Sequence, residues 1–292
     1  MKLTQVKGNT WCLEGTALIP VYRLDEHRCV LLDSGWASER KDLEETLERE
    51  GLIPVGVISS HTHEDHVGNH GWLKQKYGTQ ICTSAGEAAL GRSLAMYKMV
   101  CPPMPWDMLE NISFHTDRIV APVDGVEEFC GVPFRIHHTP GHAPEHICIG
   151  TPDGVCYLGD LLMSEQFCLR AQIPFHYVHW MTRASMEKIK QVEGYTCFVA
   201  AHKGVTDDSS GWVDTTLKRL DWICEQILGL LEEPVTWDTL VRNIIERNQL
   251  YTSDPIKAIG YETSTQPFVD YLQETGRLDI RTERGCRYFR RT

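Results

Sequence analysis

The sequence predicts an α/β fold in which helices cover β-sheets, followed by a small helical unit. Three features of the chain support this prediction. Short apolar segments separated by turn residues recur up to about residue 201, as expected of strands. Helical patterns separate several of these segments. From residue 212 onward the pattern becomes that of longer helices, which indicates a second unit.

The first part of the chain alternates between strands and helices. The predicted strands are 29–32, 53–58 and 80–83, and the predicted helices are 38–50, 72–77 and 85–100. The helix over 38–50 is well marked, because Leu43 and Leu47 lie one turn apart and Gly51 is a typical C-terminal stop. Prolines that begin at residue 102 end the Met-rich helix over 85–100, and we interpret this region as an insertion.

Strands dominate the next part of the chain, and helices dominate the last. The predicted strands are 132–138, 146–149, 155–158 and 196–201, with a helix over 182–192. After a polar, linker-like stretch at 207–211, the predicted elements are helices over 212–231, 236–248 and 265–275 and a hairpin of 278–280 and 287–289. This order fits a small winged-helix module, although another three-helix packing unit would give the same pattern. We predict two domains, residues 1–210 and 211–292.

The composition limits the classes of function. A formal net charge of -11 opposes broad attraction to nucleic acid or to anionic membranes. No apolar run approaches the roughly 20 residues that a membrane span needs, and the first 21 residues lack the features of a signal peptide. The 11 cysteines include no C-x-x-C pair, which favours free thiols. We therefore expect a cytoplasmic protein.

The most informative segment lies directly after the predicted strand 53–58 and reads SHTHEDHVGN. In an extended chain, side chains two positions apart face the same way, so His61 and His63 can reach one cation. If a helix begins near Asp65, that residue and His66 project elsewhere and could bind a second cation. Imidazole and carboxylate ligands suit zinc, iron or manganese.

One loop cannot complete two coordination spheres, so further ligands must come from distant parts of the chain. Three candidates each follow an apolar strand, at the point where a loop begins. They are His142, Asp160 and His202.

The pattern H-x-H-x-D-H is followed by a His, an Asp and a His, each at a strand end. This arrangement resembles the metallo-beta-lactamase superfamily over about residues 1–208. The resemblance implies an αββα sandwich with metals at one edge. It implies three ligands for a first metal: His61, His63 and His142. It implies three for a second metal: Asp65, His66 and His202. Asp160 would bridge the two metals, and Asp33 would hold the His-rich loop by hydrogen bonds.

Two positions narrow the resemblance further. Residue 160 is Asp, whereas many zinc beta-lactamases have Cys among their second-metal ligands, which counts against antibiotic hydrolysis. Residue 63 is His, whereas flavodiiron proteins have Glu, which counts against an oxygen-reducing role. The nearest resemblance is to the glyoxalase II-like hydrolases.

These observations predict a dinuclear metallo-hydrolase with two divalent metal ions, preferably zinc, with iron or manganese as alternatives. A hydroxide that bridges two metals can attack an ester or thioester of a small metabolite, because the metals lower the pKa of water toward about 7. Asp65 is the predicted catalytic residue, since its carboxylate could orient the hydroxide or carry a proton. A cysteine nucleophile is the weaker hypothesis, because no base lies at a motif-like spacing.

A phosphodiesterase or ribonuclease is the alternative enzyme. It is favoured by the winged-helix-like tail and by six arginines in the last 16 positions: Arg277, Arg281, Arg284, Arg287, Arg290 and Arg291. The net charge counts against it. A third hypothesis, a nucleic-acid-binding regulator that senses a ligand, is opposed by the complete set of metal ligands. The sequence leaves open whether the tail contacts substrate, nucleic acid or a second subunit of a homodimer.

The pocket walls must select the substrate, because the metal chemistry itself is unselective. Segment 161–180 follows Asp160 and is rich in aromatic residues. Four of them are predicted to line the pocket: Phe167, Phe175, Tyr177 and Trp180. Ordinary packing is the favoured interpretation of His176 and His179, which lie in the same segment.

Overall fold

The computed structural model describes residues 1–100, 109, 112–164, 166, 168, 173–202 and 204–292. Phe167 and the prolines that begin at residue 102, in the region interpreted above as an insertion, lie outside these residues. In the described part, apolar side chains of two β-sheets meet in one cluster that includes Val30, Ile58 and Phe134. Two further clusters lie between the outer face of each sheet and its helices. The layer order is therefore αββα, as predicted.

The first sheet contains seven strands within the described residues. In spatial order they are β1 (Lys2–Lys7), β2 (Thr10–Glu14), β3 (Leu18–Arg23), β4 (Arg28–Leu32), β5 (Ile53–Ile58), β6 (Gln80–Ser84) and β7 (Arg118–Val120). The first four pair antiparallel, and β4 to β7 pair parallel. The carboxyl ends of β4 and β5 therefore lie at the same edge.

Short helices connect these strands. They are a 3-10 turn (Ala37–Glu39), α1 (Arg40–Arg49), α2 (Glu64–Val67), α3 (His70–Tyr77), α4 (Ala85–Arg92) and α5 (Leu94–Val100). Leu43 and Leu47 of α1 are buried, as their spacing predicts. The single helix predicted over 85–100 is wrong, because Ser93 has an extended backbone that separates α4 from α5.

The second sheet holds most of the predicted site. Its six described strands are β8 (Gly125–Phe129), β9 (Val132–His138), β10 (Ile147–Gly150), β11 (Val155–Tyr157), β12 (Cys197–Ala200) and β13 (Gly204–Thr206), in the spatial order β13-β12-β11-β10-β9-β8. Helix α6 (His179–Lys190) lies between β11 and β12 in the chain. Because β9, β11 and β12 run in one direction, their carboxyl ends share one edge.

The C-terminal part contains three helices and a small antiparallel sheet. Its elements are α7 (Ser209–Leu228), β14 (Val235–Thr236), α8 (Trp237–Arg247), α9 (Pro255–Glu274), β15 (Leu278–Glu283) and β16 (Cys286–Arg291). The stretch 207–211 is not a linker, because the Asp208 side chain accepts a hydrogen bond from Ser210 N at 2.8 Å and caps α7. Helix α9 begins well before the predicted residue 265, since Asp254 caps it and Pro255 opens its first turn.

One apolar cluster joins the C-terminal part to the second sheet. Leu158 and Met186 pack in the same cluster as Leu220 and Phe268, which lie beyond residue 211. The predicted boundary between residues 210 and 211 falls within the first turn of α7. The division into two domains stays a prediction. In the described parts of the chain, no helix has both the length and the apolar character to cross a membrane.

Candidate metal centre

All seven predicted metal ligands meet at one edge of the sandwich. His61, His63, Asp65 and His66 lie in the loop after β5 and in α2. His142, Asp160 and His202 follow β9, β11 and β12, whose carboxyl ends share the same edge. A hydrogen bond of 3.0 Å from Ile147 N to Ser60 O ties the β5 loop to the second sheet.

The first group of side chains consists of His61, His63, His142 and Asp160, whose donor atoms all lie within 4.8 Å of one another. His63 Nδ1 lies 2.9 Å from His61 Nε2 and 3.1 Å from His142 Nε2. Asp160 Oδ2 lies 3.4 Å from His142 Nε2. Three imidazole nitrogens and one carboxylate oxygen therefore converge on one point.

The second group consists of Asp65, His66, Asp160 and His202, again within 4.8 Å. His66 Nε2 lies 3.5 Å from Asp65 Oδ2 and 3.2 Å from Asp160 Oδ1. His202 Nε2 lies 3.4 Å from Asp65 Oδ2 and 3.1 Å from Asp160 Oδ2. Asp160 is the residue that belongs to both groups.

Both groups fit a divalent metal. Ligand atoms at a tetrahedral zinc are about 3.3 Å apart, since each lies about 2.0–2.1 Å from the ion. The distances within the two groups, from 2.9 Å to 3.5 Å, lie around this value. His66 Nε2 and Asp160 Oδ1 lie 3.2 Å apart, and both are buried without a hydrogen-bond partner that meets the usual geometry in the described structure. Such orphaned polar atoms are costly unless an ion satisfies them.

Asp33, which directly follows β4, holds the His-rich loop by hydrogen bonds. Its Oδ1 accepts a hydrogen bond from Ser60 N at 2.7 Å. Its Oδ2 accepts from Ser60 Oγ at 2.6 Å, from Tyr157 OH at 2.7 Å and from His66 Nδ1 at 2.7 Å. Burial would raise the pKa of Asp33, but the charge and hydrogen bond of His66 and the bonds from Ser60 outweigh it and lower the pKa.

Hydrogen bonds also fix the tautomers of two other histidines. Ser60 Oγ donates to Asp33, so it accepts from His61 Nδ1 at 3.0 Å. The Phe175 carbonyl accepts from His142 Nδ1 at 3.0 Å. In both rings the Nε2 lone pair then faces the first group, which is the arrangement found in metal-binding histidines.

The two groups of side chains differ in their electrostatic environment. Burial and the neighbouring imidazoles hold the pKa values of His61 and His63 well below the usual range, so both rings are neutral and able to bind a cation. Burial opposes the protonation of His66, but Asp65, Asp160 and Asp33 raise its pKa well above the ordinary value. The second group therefore concentrates negative charge that a cation can neutralise.

Gly159 allows the chain to reach Asp160. Its φ is +51°, a conformation that L side chains rarely adopt, and a Cβ there would meet His146 Nε2 and Ser60. His146 Nε2 in turn accepts a hydrogen bond from Asp160 N at 3.3 Å. The turn therefore requires the smallest residue directly before the shared carboxylate.

Glu87 of α4 is a buried support that the sequence did not reveal. Its Oε2 accepts from Thr62 N at 2.8 Å, and its Oε1 accepts from Glu145 N at 3.0 Å. The side chain therefore links the loop of His61 and His63 to the loop that follows His142. Burial raises the pKa of Glu87. Its one sequence signal is a single acidic residue in the apolar run AGEAALG.

Two of the four predicted pocket residues lie beside the histidines. The Phe175 ring is 5.5 Å from that of His63 and 6.0 Å from that of His142. The Tyr177 ring is 6.1 Å from His63 and 4.9 Å from Phe175. Trp180 lies on α6 with 50% of its surface exposed, and Phe167 lies outside the described residues.

Residues 18–202 match the sequence profile of the family described as the Metallo-beta-lactamase superfamily, a span of more than half of the chain. The chain belongs to the metallo-beta-lactamase superfamily. All seven clustered side chains lie within the matched region. Membership confirms the predicted class, a metallo-hydrolase of this superfamily, and implies divalent metal ions held by His and Asp residues.

Several curated superfamily relatives share part of the sequence. A Beta-lactamase-like protein 2 homolog of Drosophila melanogaster is 26% identical over 207 residues, which cover 69% of this chain and 63% of the relative. A Hydroxyacylglutathione hydrolase of Pseudomonas putida is 29% identical over 53% of this chain and 47% of its own. Hydroxyacylglutathione hydrolase GloC of Haemophilus influenzae is 30% identical over 48% of this chain and 64% of its own. The chain thus spans less than two thirds of the length of each of these relatives.

Solved structures resemble the whole chain. A Beta-lactamase domain protein from Burkholderia ambifaria has a TM-score of 0.76 at 16% identity, covering 100% of this chain and 94% of its own. A metallo-beta-lactamase family protein from Thermus thermophilus has a TM-score of 0.72 at 19% identity, covering 94% of each chain. At these identities the likeness shows the fold alone, and it confirms the predicted metallo-beta-lactamase sandwich.

Proposed function

We propose that the protein is a dinuclear metal hydrolase, with zinc as its metal, that cleaves a thioester or ester of a small metabolite. The observation that carries the proposal is the position of Asp160. Its Oδ1 lies 3.2 Å from His66, and its Oδ2 lies 3.4 Å from His142 and 3.1 Å from His202. One carboxylate between two groups of donors is what a pair of ions about 3.5–4 Å apart requires.

In this proposal three residues bind the first ion together with Asp160: His61, His63 and His142. Three others bind the second together with Asp160: Asp65, His66 and His202. Nitrogen and carboxylate donors at these separations suit zinc. A bound metal pair would supply an activated water and polarise the substrate carbonyl.

The chain's own side chains would orient the reaction. The Asp65 carboxylate stands at the second group, where it can hold the attacking water and take its proton. Asp33 keeps His66 in one orientation through the bond to Nδ1. Phe175 and Tyr177 lie against His63, where they can exclude water and contact the nonreacting part of the substrate.

The relatives favour a thioester among these substrates. Two of the three relatives described above are named hydroxyacylglutathione hydrolases, and a hydroxyacylglutathione is a thioester. The matches cover only part of those proteins, so the substrate class is part of the proposal.

A phosphodiesterase is the second candidate, because the C-terminal part has the element order of a winged helix. Val235 of β14 pairs with Phe289 of β16, which itself pairs with β15. On the basis of this strand pairing, we propose that the C-terminal part is a winged helix. Against nucleic acid binding, Arg281 pairs with Asp279 at 3.0 Å and Arg277 pairs with Glu225. Both arginines are thus partly neutralised.

The test is hydrolysis by the zinc-loaded protein of S-lactoylglutathione, of p-nitrophenyl acetate and of bis-p-nitrophenyl phosphate. The proposal expects the highest kcat/KM for one of the first two compounds, and a loss of at least about 100-fold in Asp160→Asn. Preference for the phosphodiester would instead support the second candidate. No hydrolysis of any compound by protein with two bound metals would contradict both.

A further inference from the structure

Segment 174–178 contacts the metal centre through its backbone as well as its side chains. The Phe175 carbonyl accepts the hydrogen bond from His142 Nδ1 at 3.0 Å. Tyr177 N and Val178 N both donate to the carbonyl of Gly141, at 2.8 Å and 3.1 Å. This segment therefore helps to hold the loop that carries His142.

The same loop packs closely against α6. Gly141 has a φ of +130°, and a Cβ there would overlap the backbone nitrogen of Thr182 in the first turn of α6. Ser185 Oγ also donates to Pro140 O at 2.8 Å. A shift of the amino-terminal end of α6 would therefore be transmitted to His142.

Two buried histidines lie at that end of α6. His176 and His179 are 1% and 2% exposed, and His176 Nε2 lies 2.9 Å from His179 Nδ1. Burial lowers the pKa of His176 to about 3 and that of His179 to about 4. Both rings are therefore neutral near pH 7, and one donates to the other as a single hydrogen-bonded unit.

Helix α9 of the C-terminal part packs directly on this His176–His179 pair. The ring of Phe268 lies 4.9 Å from His176 and 4.8 Å from His179, and Phe268 is fully buried. Tyr271 lies 4.4 Å from His179. His179 Nε2 has no hydrogen-bond partner in the described structure, so aromatic packing, not a further hydrogen bond, fixes this end of the pair.

We propose that helix α9 positions the metal ligand His142, with Phe268 and the His176–His179 pair as positioning residues. The route runs from Phe268 to the histidine pair, then to the Phe175 carbonyl and to His142 Nδ1. The inference rests on the proposed function, because it takes His142 as a ligand. Partners that orient a metal ligand typically change metal affinity by 10- to 100-fold.

The test compares Phe268→Leu with a matched control, Phe289→Leu. Both phenylalanines are fully buried in the same apolar cluster, but Phe289 packs on Trp237, away from the histidine pair. The zinc dissociation constant is measured by competition with a chelator, the visible spectrum is recorded with bound Co²⁺, and thermal stability is measured for each variant. We expect both variants to lose stability, and only Phe268→Leu to bind zinc about tenfold more weakly with an altered cobalt spectrum.

A second variant, His176→Phe, keeps a ring but removes the hydrogen bond, and it should reproduce the affinity and spectral changes of Phe268→Leu. It replaces Phe268→Leu in the comparison if that protein does not fold. Equal zinc affinities and identical cobalt spectra for all variants, with normal binding by the wild type, would overturn the inference. Failure of the wild type to bind metal would overturn the proposed function instead. Neither result depends on the substrate.

Discussion

His66 Nδ1 lies 2.7 Å from Asp33 Oδ2, and both side chains are almost completely buried. Asp33 follows the parallel strand β4, whereas His66 follows β5 by way of α2. The bond therefore joins two neighbouring strand ends, and it leaves His66 Nε2 directed at Asp65 and Asp160. The side chain of His66 is therefore oriented by a residue at the end of the neighbouring strand.

Replacement of Asp33 should disturb both stability and metal binding. In Asp33→Ala, His66, Ser60 and Tyr157 lose their shared acceptor, so we expect the free energy of unfolding to fall by about 3–5 kcal/mol. Zinc affinity should fall by about 10- to 100-fold. Chemical denaturation and chelator competition check the two values. A variant that binds both metals normally would show that Asp33 does not orient His66.

Glu87→Gln tests the support that links the two ligand loops. The two carboxylate oxygens of Glu87 each accept a hydrogen bond from one backbone N–H group, that of Thr62 or that of Glu145. The amide of glutamine has only one oxygen that can accept. One N–H should lose its acceptor, which costs about 1–3 kcal/mol and should reduce metal occupancy. The exposed Glu45→Gln on α1 is the matched control and should leave both quantities unchanged. The same result for the two variants would contradict a supporting role for Glu87.

Acid should destabilise the protein through buried neutral histidines. Burial lowers the pKa of His70 to about 3, so below its unfolded value of 6.5 the unfolded state binds the proton first. The contribution of His70 is therefore present above pH 6.5 and is lost progressively as the pH falls toward 3. Between pH 7 and 5 the loss from this one group should be about 2 kcal/mol.

The variant His70→Leu is the control for this prediction. The free energy of unfolding of both proteins is measured by urea denaturation at pH 7 and pH 5 after metal removal. The variant should be less stable than the wild type at pH 7 but should lose about 2 kcal/mol less between pH 7 and 5. Contributions from the other histidines cancel in this difference. Parallel pH dependence of the two proteins would contradict the assignment of a neutral, buried His70.

Phe175 and Tyr177 are expected to select among acyl groups. Single replacement by Ala keeps the Phe175 carbonyl that orients His142, so metal content should not change. The ratio of kcat/KM between long and short acyl substrates should shift by roughly 10-fold, the effect of one or two methylene contacts. Trp222→Ala, on the exposed face of α7, is the control. Equal loss on every substrate together with a lower Tm would show that the two rings serve packing alone.

The sequence revealed the candidate ligands because their signals are local. His61 and His63 stand two apart after a strand, and Asp160 and His202 each follow an apolar run. The resemblance indicated Asp33, but the other supports were not visible, because Tyr157 meets Asp33 across 124 positions and His176 meets Phe268 only through the tertiary fold. No periodicity encodes such contacts.

The predicted element boundaries were wrong for different reasons. The beginning of α9 is marked by Asp254 and Pro255, a capping signal that precedes the periodic part of the helix. The edge strand β1 was not assigned, because its side chains are exposed or half-buried on both faces and show no alternation of apolar residues. Packing on a neighbour, not local pattern, defines that strand.

The proposed function requires that two metal ions share Asp160. A crystal structure of the zinc-loaded protein, with anomalous diffraction recorded at the zinc edge, tests it most directly. We predict two anomalous peaks, each about 2.0–2.2 Å from an Asp160 oxygen. One should lie among His61, His63 and His142, and the other among Asp65, His66 and His202. A single peak, or two peaks of which either is out of reach of Asp160, would show that Asp160 does not bridge two metals.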